Sequence, residues 1–120
     1  MPFDWRDYLG LARALVGQAS LGYSPEAAQR TAVSRAYYAA FCFARNYAET
    51  RFRFQRTAGP KDHQNLREHF KRLGKAQLAS RLNKLRSWRN DCDYEDQVPN
   101  IQQYVQSAIQ IAAQVIQECR

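Results

Sequence analysis

Along the whole chain apolar residues recur three and four positions apart, and no stretch alternates with a period of two, so the pattern predicts helices and no strands. Trp5, Tyr8, Leu9, Ala12, Leu15, Val16 and Ala19 fall on one stripe of a first helix, with Asp4 as its N-cap. Leu21-Gly22-Tyr23 interrupts it. Ser24-Pro25-Glu26 then supplies an N-cap, a proline at the first helical position and an acid in the first turn, starting a second helix that runs to about Thr50. Here Ala32, Ala36, Ala39, Ala40 and Ala44 are interleaved with Tyr37, Tyr38, Phe41, Phe43 and Tyr47. Small residues let a neighbour approach closely, and apolar residues on nearly every side call for burial on more than one face, so this is the expected central helix.

From Arg51 to Lys61 the period fails, and Thr57-Ala58-Gly59-Pro60 is turn chemistry, so a loop is predicted. A third helix capped by Asp62 carries Leu66, Phe70 and Leu73 and stops at Gly74, a residue suited to a left-handed C-cap. Leu78, Leu82, Leu85 and Trp88 mark a fourth helix, with Arg81, Lys84 and Arg86 on its polar face, leading into a turn that begins at Arg89. After a break at Val98-Pro99, the last helix sets Ile101, Tyr104, Val105, Ala108, Ile109, Ala112, Val115 and Ile116 on one stripe. The predicted fold is all-α, an up-and-down bundle of four to five helices.

At 120 residues, positions 1–120 read as a single domain with apolar and aromatic area enough for its own core. Cys42, Cys92 and Cys119 are odd in number and widely separated, a usage that signals neither a disulfide framework nor a metal site. No metal and no cofactor is predicted, and a reducing cytoplasm is the expected setting. The start Met-Pro-Phe-Asp-Trp-Arg-Asp has no export-type apolar run, and no stretch is long enough to span a bilayer, so no membrane role is expected.

Charge changes the picture more than composition does. Between Arg51 and Arg89 stand twelve basic residues against Asp62 and Glu68, a balance of +10; six basic and nine acidic residues lie elsewhere, a balance of −3. Such polarity points to a polyanion or an acidic partner, or else to a solvated basic face. Arg51, Arg53 and Arg56, interleaved with Phe52 and Phe54, are candidates for phosphate contacts with stacking between them, and Lys61 and Arg86 add to the same basic run. Tyr37, Tyr38 and Phe41, at helical spacing among alanines, read instead as core or dimer-interface residues.

The segment Trp88-Arg89-Asn90-Asp91-Cys92-Asp93-Tyr94-Glu95-Asp96 departs most from a plain bundle pattern. Arg89 is suited to the last carbonyls of a helix, and with Asp93 four residues on it can form an ion pair worth about 0.5 kcal/mol. Equally, charges this dense beside a Trp and a Tyr can line a site. His63, next to Asp62, is a candidate base whose pKa a neighbouring carboxylate would raise, or a helix-end packing residue.

Ser34-Arg35-Ala36-Tyr37-Tyr38-Ala39-Ala40-Phe41, then His63 in Asp-His-Gln-Asn-Leu-Arg, then Arg89-Asn90 with Asp93-Tyr94, resemble in order, spacing and setting the HEPN family (higher eukaryotes and prokaryotes nucleotide-binding) across nearly the whole chain. The resemblance implies a four- to five-helix bundle, a homodimer with two Arg89 turns at its axis, and a minimal nucleotidyltransferase as partner in a toxin–antitoxin type of system. Active members are metal-independent endoribonucleases with an Arg-x-x-x-x-His motif, in which a guanidinium grips the scissile phosphate and an imidazole exchanges protons. Arg89 and Asn90 match it, but Tyr94 stands where the histidine belongs. A phenol with an ordinary pKa near 10 is a poor base at neutral pH.

Three readings follow. One is a dimeric module that binds RNA, a nucleotide or its partner through Arg89, Asp93 and the basic segment without cleaving. A second is a ribonuclease using Arg89, Asn90 and Tyr94 or His63. The third is a dimerisation scaffold in which Arg89 and Asp93 pair across the interface.

Overall fold

Ala28, Ala32, Ala36, Ala40, Ala44 and Ala48 stand at every fourth position of the second helix, and all six are buried. Each step of four residues carries the chain about 40° past a full turn, so the row winds about half-way round the helix over its length. Alanines that meet one neighbour at the start of the row therefore meet another at its end. This is why one helix can serve as the hub of the fold.

The structure, a computed structural model, describes residues 2–17 and 22–120. Its elements are α1 (Arg6–Gly17), α2 (Pro25–Phe52), α3 (Lys61–Arg72), α4 (Ala76–Tyr94) and α5 (Ile101–Glu118). Together they form an all-α bundle, with no strand among the described residues. The expected positions Ala19 and Leu21 lie outside the described residues. α2 packs against all four other helices, α5 also against α1 and α4, and α3 chiefly against α4. At about 1.5 Å per residue the 28 residues of α2 span roughly 42 Å, close to the molecule's longest dimension of 44 Å. Leu9 and Ala12 of α1, Leu66 and Phe70 of α3, Leu78, Leu82 and Leu85 of α4, and Val105, Ala108, Ala112 and Val115 of α5 complete the core. Val16, expected on the α1 stripe, is exposed. No described helix is long and apolar enough to cross a membrane.

Several helix ends follow the expected chemistry. Asp4 accepts the Arg6 amide at 3.0 Å, and Ser24 accepts that of Ala27 at 3.0 Å ahead of Pro25. Gly74 takes a left-handed φ of 78°, and the amides of Gly74 and Lys75 return to the carbonyls of Lys71 and Phe70, closing α3 as a Schellman motif.

Asp62 departs from expectation. Instead of capping α3 it lies inside the first turn, buried, and its carboxylate faces backward, accepting from the Thr57 amide (2.8 Å), the Thr57 hydroxyl (2.7 Å) and the Ala58 amide (3.0 Å). Three donors drawn to one carboxylate stabilise the loop in which Ala58 adopts a left-handed φ of 64°. These bonds hold the Asp62 carboxyl below the usual carboxylate range, the Thr57 hydroxyl contributing most.

The Arg89 segment is likewise not a turn. α4 continues through Tyr94, although Asp91, Asp93, Glu95 and Asp96 oppose a helix C-terminus and its last turn holds no basic residue. The missing cation comes from α2. Arg30 donates to the carbonyls of Cys92 (3.0 Å), Glu95 (2.6 Å) and Asp96 (3.2 Å) and is held from behind by Glu26 at 3.0 Å. The role expected of Arg89, satisfying the last carbonyls, belongs to Arg30.

Removing this clamp by Arg30→Ala is expected to cost about 2 kcal/mol, the order of a single charge-assisted hydrogen bond, because water replaces much of this partly exposed network. Amide exchange at residues 91–96 should accelerate while that of Val105–Val115 stays slow; unchanged exchange at 91–96 would show that α4 holds its end unaided.

Candidate functional site

Arg35 and Arg45 are the charged residues that stand within the otherwise apolar, buried middle of α2, and both turn toward α1. The guanidinium of Arg35 lies 4.7 Å from the Tyr8 ring centre and 5.2 Å from that of Tyr38; that of Arg45 lies 5.7 Å from Trp5 and 6.0 Å from Phe41. From α4, Arg89 reaches over Tyr38 at 5.2 Å and over Tyr94 at 5.8 Å. Aromatic faces and guanidiniums thus alternate across three helices as Tyr8, Arg35, Tyr38, Arg89, Tyr94. Each contact contributes about 0.5–1 kcal/mol where it is exposed and more where it is dry.

Between these groups opens a cleft of about 410 Å³. Arg35, Arg45 and Arg89 supply its charge, Trp5, Tyr8, Tyr38 and Phe41 its aromatic wall, and Asp93 the single carboxylate among its described lining residues. Neither Arg35 nor Arg45 meets a carboxylate among the described residues: Arg35 donates to the Ser34 hydroxyl at 3.3 Å and Arg45 to the Asn46 side-chain oxygen at 3.1 Å. Two half-buried cations with neutral hydrogen-bond partners give the cleft a positive character, since a desolvated charge is costly until an opposite charge covers it.

Arg89 is only loosely committed. Its Nε lies 2.9 Å from an Asp93 carboxylate oxygen, yet the N–H is not directed at that oxygen and this buried atom makes no hydrogen bond; one terminal nitrogen donates to Asn90 at 3.1 Å. An Arg-to-Asp pair in this order along a helix contributes at most about 0.5 kcal/mol, less than the 1.5–3 kcal/mol of a charge-assisted hydrogen bond, so a phosphate oxygen can displace Asp93. This pair lies within α4.

His63 occupies different ground. Its ring stacks on Phe41 at 4.1 Å with planes only 6° apart, meets the Tyr38 ring at 6.1 Å, and its Nδ1 is bonded to the Tyr37 hydroxyl. Burial keeps that phenol protonated and well above its ordinary pKa, and no other described group bonds to it, so it donates and the neutral imidazole carries its proton on Nε2. The expectation that Asp62 would raise the His63 pKa is overturned. Burial, reinforced by Arg89, Arg67 and Arg86, holds it below 6.5, and Asp62, already committed to Thr57 and Ala58, is outweighed.

The other expected residues divide. Arg89, Asn90 and Asp93 come together, and Tyr94 joins them by its ring but is 72% exposed, with its hydroxyl bonded to no described group. Arg86 is exposed on α4 and close enough to affect His63. Arg51 lies over Tyr47, Arg53 is the left-handed end of α2, and Lys61 begins α3; none of them lines the cleft. Arg56 pairs with Glu49 and also donates to Asn46, which brings it beside Arg45. Phe54 is buried in the core and Phe52 lies beneath Lys75, so the expected interleaved stacking surface does not form. Tyr37 and Phe41 are core as expected, whereas Tyr38 is half-buried and faces the cleft. Sequence reasoning missed the cleft's Arg35, Arg45, Trp5 and Tyr8; the available signal was two arginines inside an apolar helix. Among the described residues no three His, Cys, Asp or Glu side chains converge as metal ligands.

In comparisons with known proteins, the chain matches no family model, no curated protein and no solved structure.

Because the folded pKa of His63 lies below its unfolded value near 6.5, the unfolded chain takes up that proton first on acidification. Stability is therefore expected to be complete above pH 6.5 and to fall as pH drops toward the folded value. Urea midpoints of wild type and His63→Gln compared from pH 7.5 to 5 test this: the slope should shrink in the variant, and an equal slope in both would refute the assignment.

Proposed function

We propose that this chain is a HEPN-like binding module that grips RNA or a nucleotide by its phosphates without cleaving it, as a homodimer in the reducing cytoplasm. Its companion would be a minimal nucleotidyltransferase of a toxin–antitoxin type of system, which is what the family resemblance implies. The observation that carries the reading is the convergence of Arg35, Arg45 and Arg89 on one aromatic cleft whose described lining residues include a single carboxylate and no histidine. Guanidiniums suit phosphate because their fork matches its oxygens two at a time.

Cleavage would need a group that exchanges protons near neutrality within reach of the gripped phosphate. Cys42, which lines the cleft, is pushed up by burial and supplies no thiolate. His63 is engaged by Tyr37, stacks on Phe41 and is not among the described residues that line the cleft, and Tyr94 is exposed. These placements favour binding over the ribonuclease reading. The three free, buried cysteines are compatible with a reducing compartment.

Single-stranded RNA incubated with the protein in EDTA provides the test. Wild type should retain the RNA at low salt and leave it intact, and Arg89→Ala should weaken binding about tenfold and flatten the log–log salt slope by about 0.7 per lost phosphate contact. EDTA-resistant cutting that Arg89→Ala abolishes would establish the enzyme reading instead. A change of oligomeric state with no change in affinity would favour the scaffold.

A further inference from the structure

Counting charges in the cleft gives more than its sign. Arg89 has Asp93 beside it, but neither Arg35 nor Arg45 makes an ion pair among the described residues, so two cations are open to two anionic groups. They stand ten residues apart on α2, about 15 Å of helix, and lean on two different rings, Arg35 on Tyr8 and Arg45 on Trp5. Those rings are themselves neighbours, with centres 5.4 Å apart and planes at 76°. A single phosphate taken by Arg35 and Arg89 would leave Arg45 half-buried over Trp5 with the neutral Asn46 as its hydrogen-bond partner among the described residues, and with Glu49, whose carboxyl feels its charge, already bonded to Arg56.

We infer that the cleft holds two phosphates of one single-stranded nucleic acid, one at Arg35 with Arg89 and another at Arg45, with the Trp5–Tyr8 pair lying between them. Trp5 and Tyr8 are each only partly buried, and Phe3, packed against both at 4.9 and 5.2 Å, is half exposed, so aromatic surface is open where a base between the two phosphates would stack. The preferred ligand is thus an oligonucleotide rather than a mononucleotide. A nucleoside triphosphate fits poorly, since its charges are contiguous and the two guanidiniums bracket a pair of rings. This assignment rests on the phosphate-binding reading above and adds Arg45 as a second subsite.

The experiment is a competition series at about 50 mM salt with AMP, ATP and oligo-U and oligo-dT of one to about six nucleotides, followed by fluorescence anisotropy. Affinity should rise about tenfold or more between the mononucleotide and the trinucleotide. Arg45→Gln, which removes the charge but keeps most of the stem over Trp5, should flatten that step, whereas Arg35→Gln should weaken every ligand. Circular dichroism on both variants establishes that the fold is kept. A chain-length step in either the oligo-U or the oligo-dT series supports the two-phosphate assignment, and the ratio of the two affinities reports which sugar is preferred. ATP competing as well as a trinucleotide, or an Arg45→Gln series as steep as wild type, would overturn it while the phosphate-binding reading stands. Failure of every ligand to bind would remove that reading, and this assignment with it.

Discussion

Everything in this bundle depends on how closely other helices can approach α2. A methyl group is the largest side chain along its every-fourth-residue row, and the winding of that row presents close-packing surface to several neighbours in turn. Interiors are packed densely enough that an added methylene costs about 1–3 kcal/mol, so the alanines fix the distances at which α1, α4 and α5 stand. Because α1 and α4 are held at those distances, Tyr8 and Arg89 fall within reach of Arg35 and Tyr38, and the cleft follows from the same constraint as the core.

Arginine performs two opposite tasks on this framework. Arg30 is fully committed to structure: its nitrogens donate to the carbonyls of Cys92, Glu95 and Asp96, at and just beyond the end of α4, and to Glu26, and it carries an acidic helix end through to Tyr94. Arg35, Arg45 and Arg89 are unsaturated, with neutral or poorly aligned partners and aromatic rings beneath them. The first group makes structure and the second makes a site. The two are linked, since Arg30 holds the turn of helix on which Asp93 and Tyr94 stand.

Periodicity made the bundle legible from sequence: five apolar stripes, a Ser-Pro start for α2 and a Gly stop for α3 correspond to the observed elements within a few residues. Where the reading failed, the cause was a contact distant in sequence. The acids after Arg89 argue locally for a helix stop, and only the approach of Arg30, more than sixty residues earlier, reverses that. Asp62 has the composition of a cap, but the donors at Thr57 and Ala58 draw it backward. Arg89, Asn90 and Asp93 were identifiable because they are neighbours in sequence. Arg35 and Arg45 left only a weak signal, two arginines inside an apolar helix, because their lack of a close ion pair among the described residues is decided only once the helices have packed.

The central claim, that α2 and α4 together present unsatisfied guanidiniums to phosphate, can be observed at the guanidiniums themselves. Spectra of arginine Nε–H groups in ¹⁵N-labelled protein, titrated with a short single-stranded oligonucleotide, report each side chain separately. The account predicts that Arg35, Arg45 and Arg89 shift together while Arg30, Arg13 and Arg72 stay in place. Shifts confined to Arg51, Arg53 and Arg72, with the three cleft arginines unmoved, would contradict it.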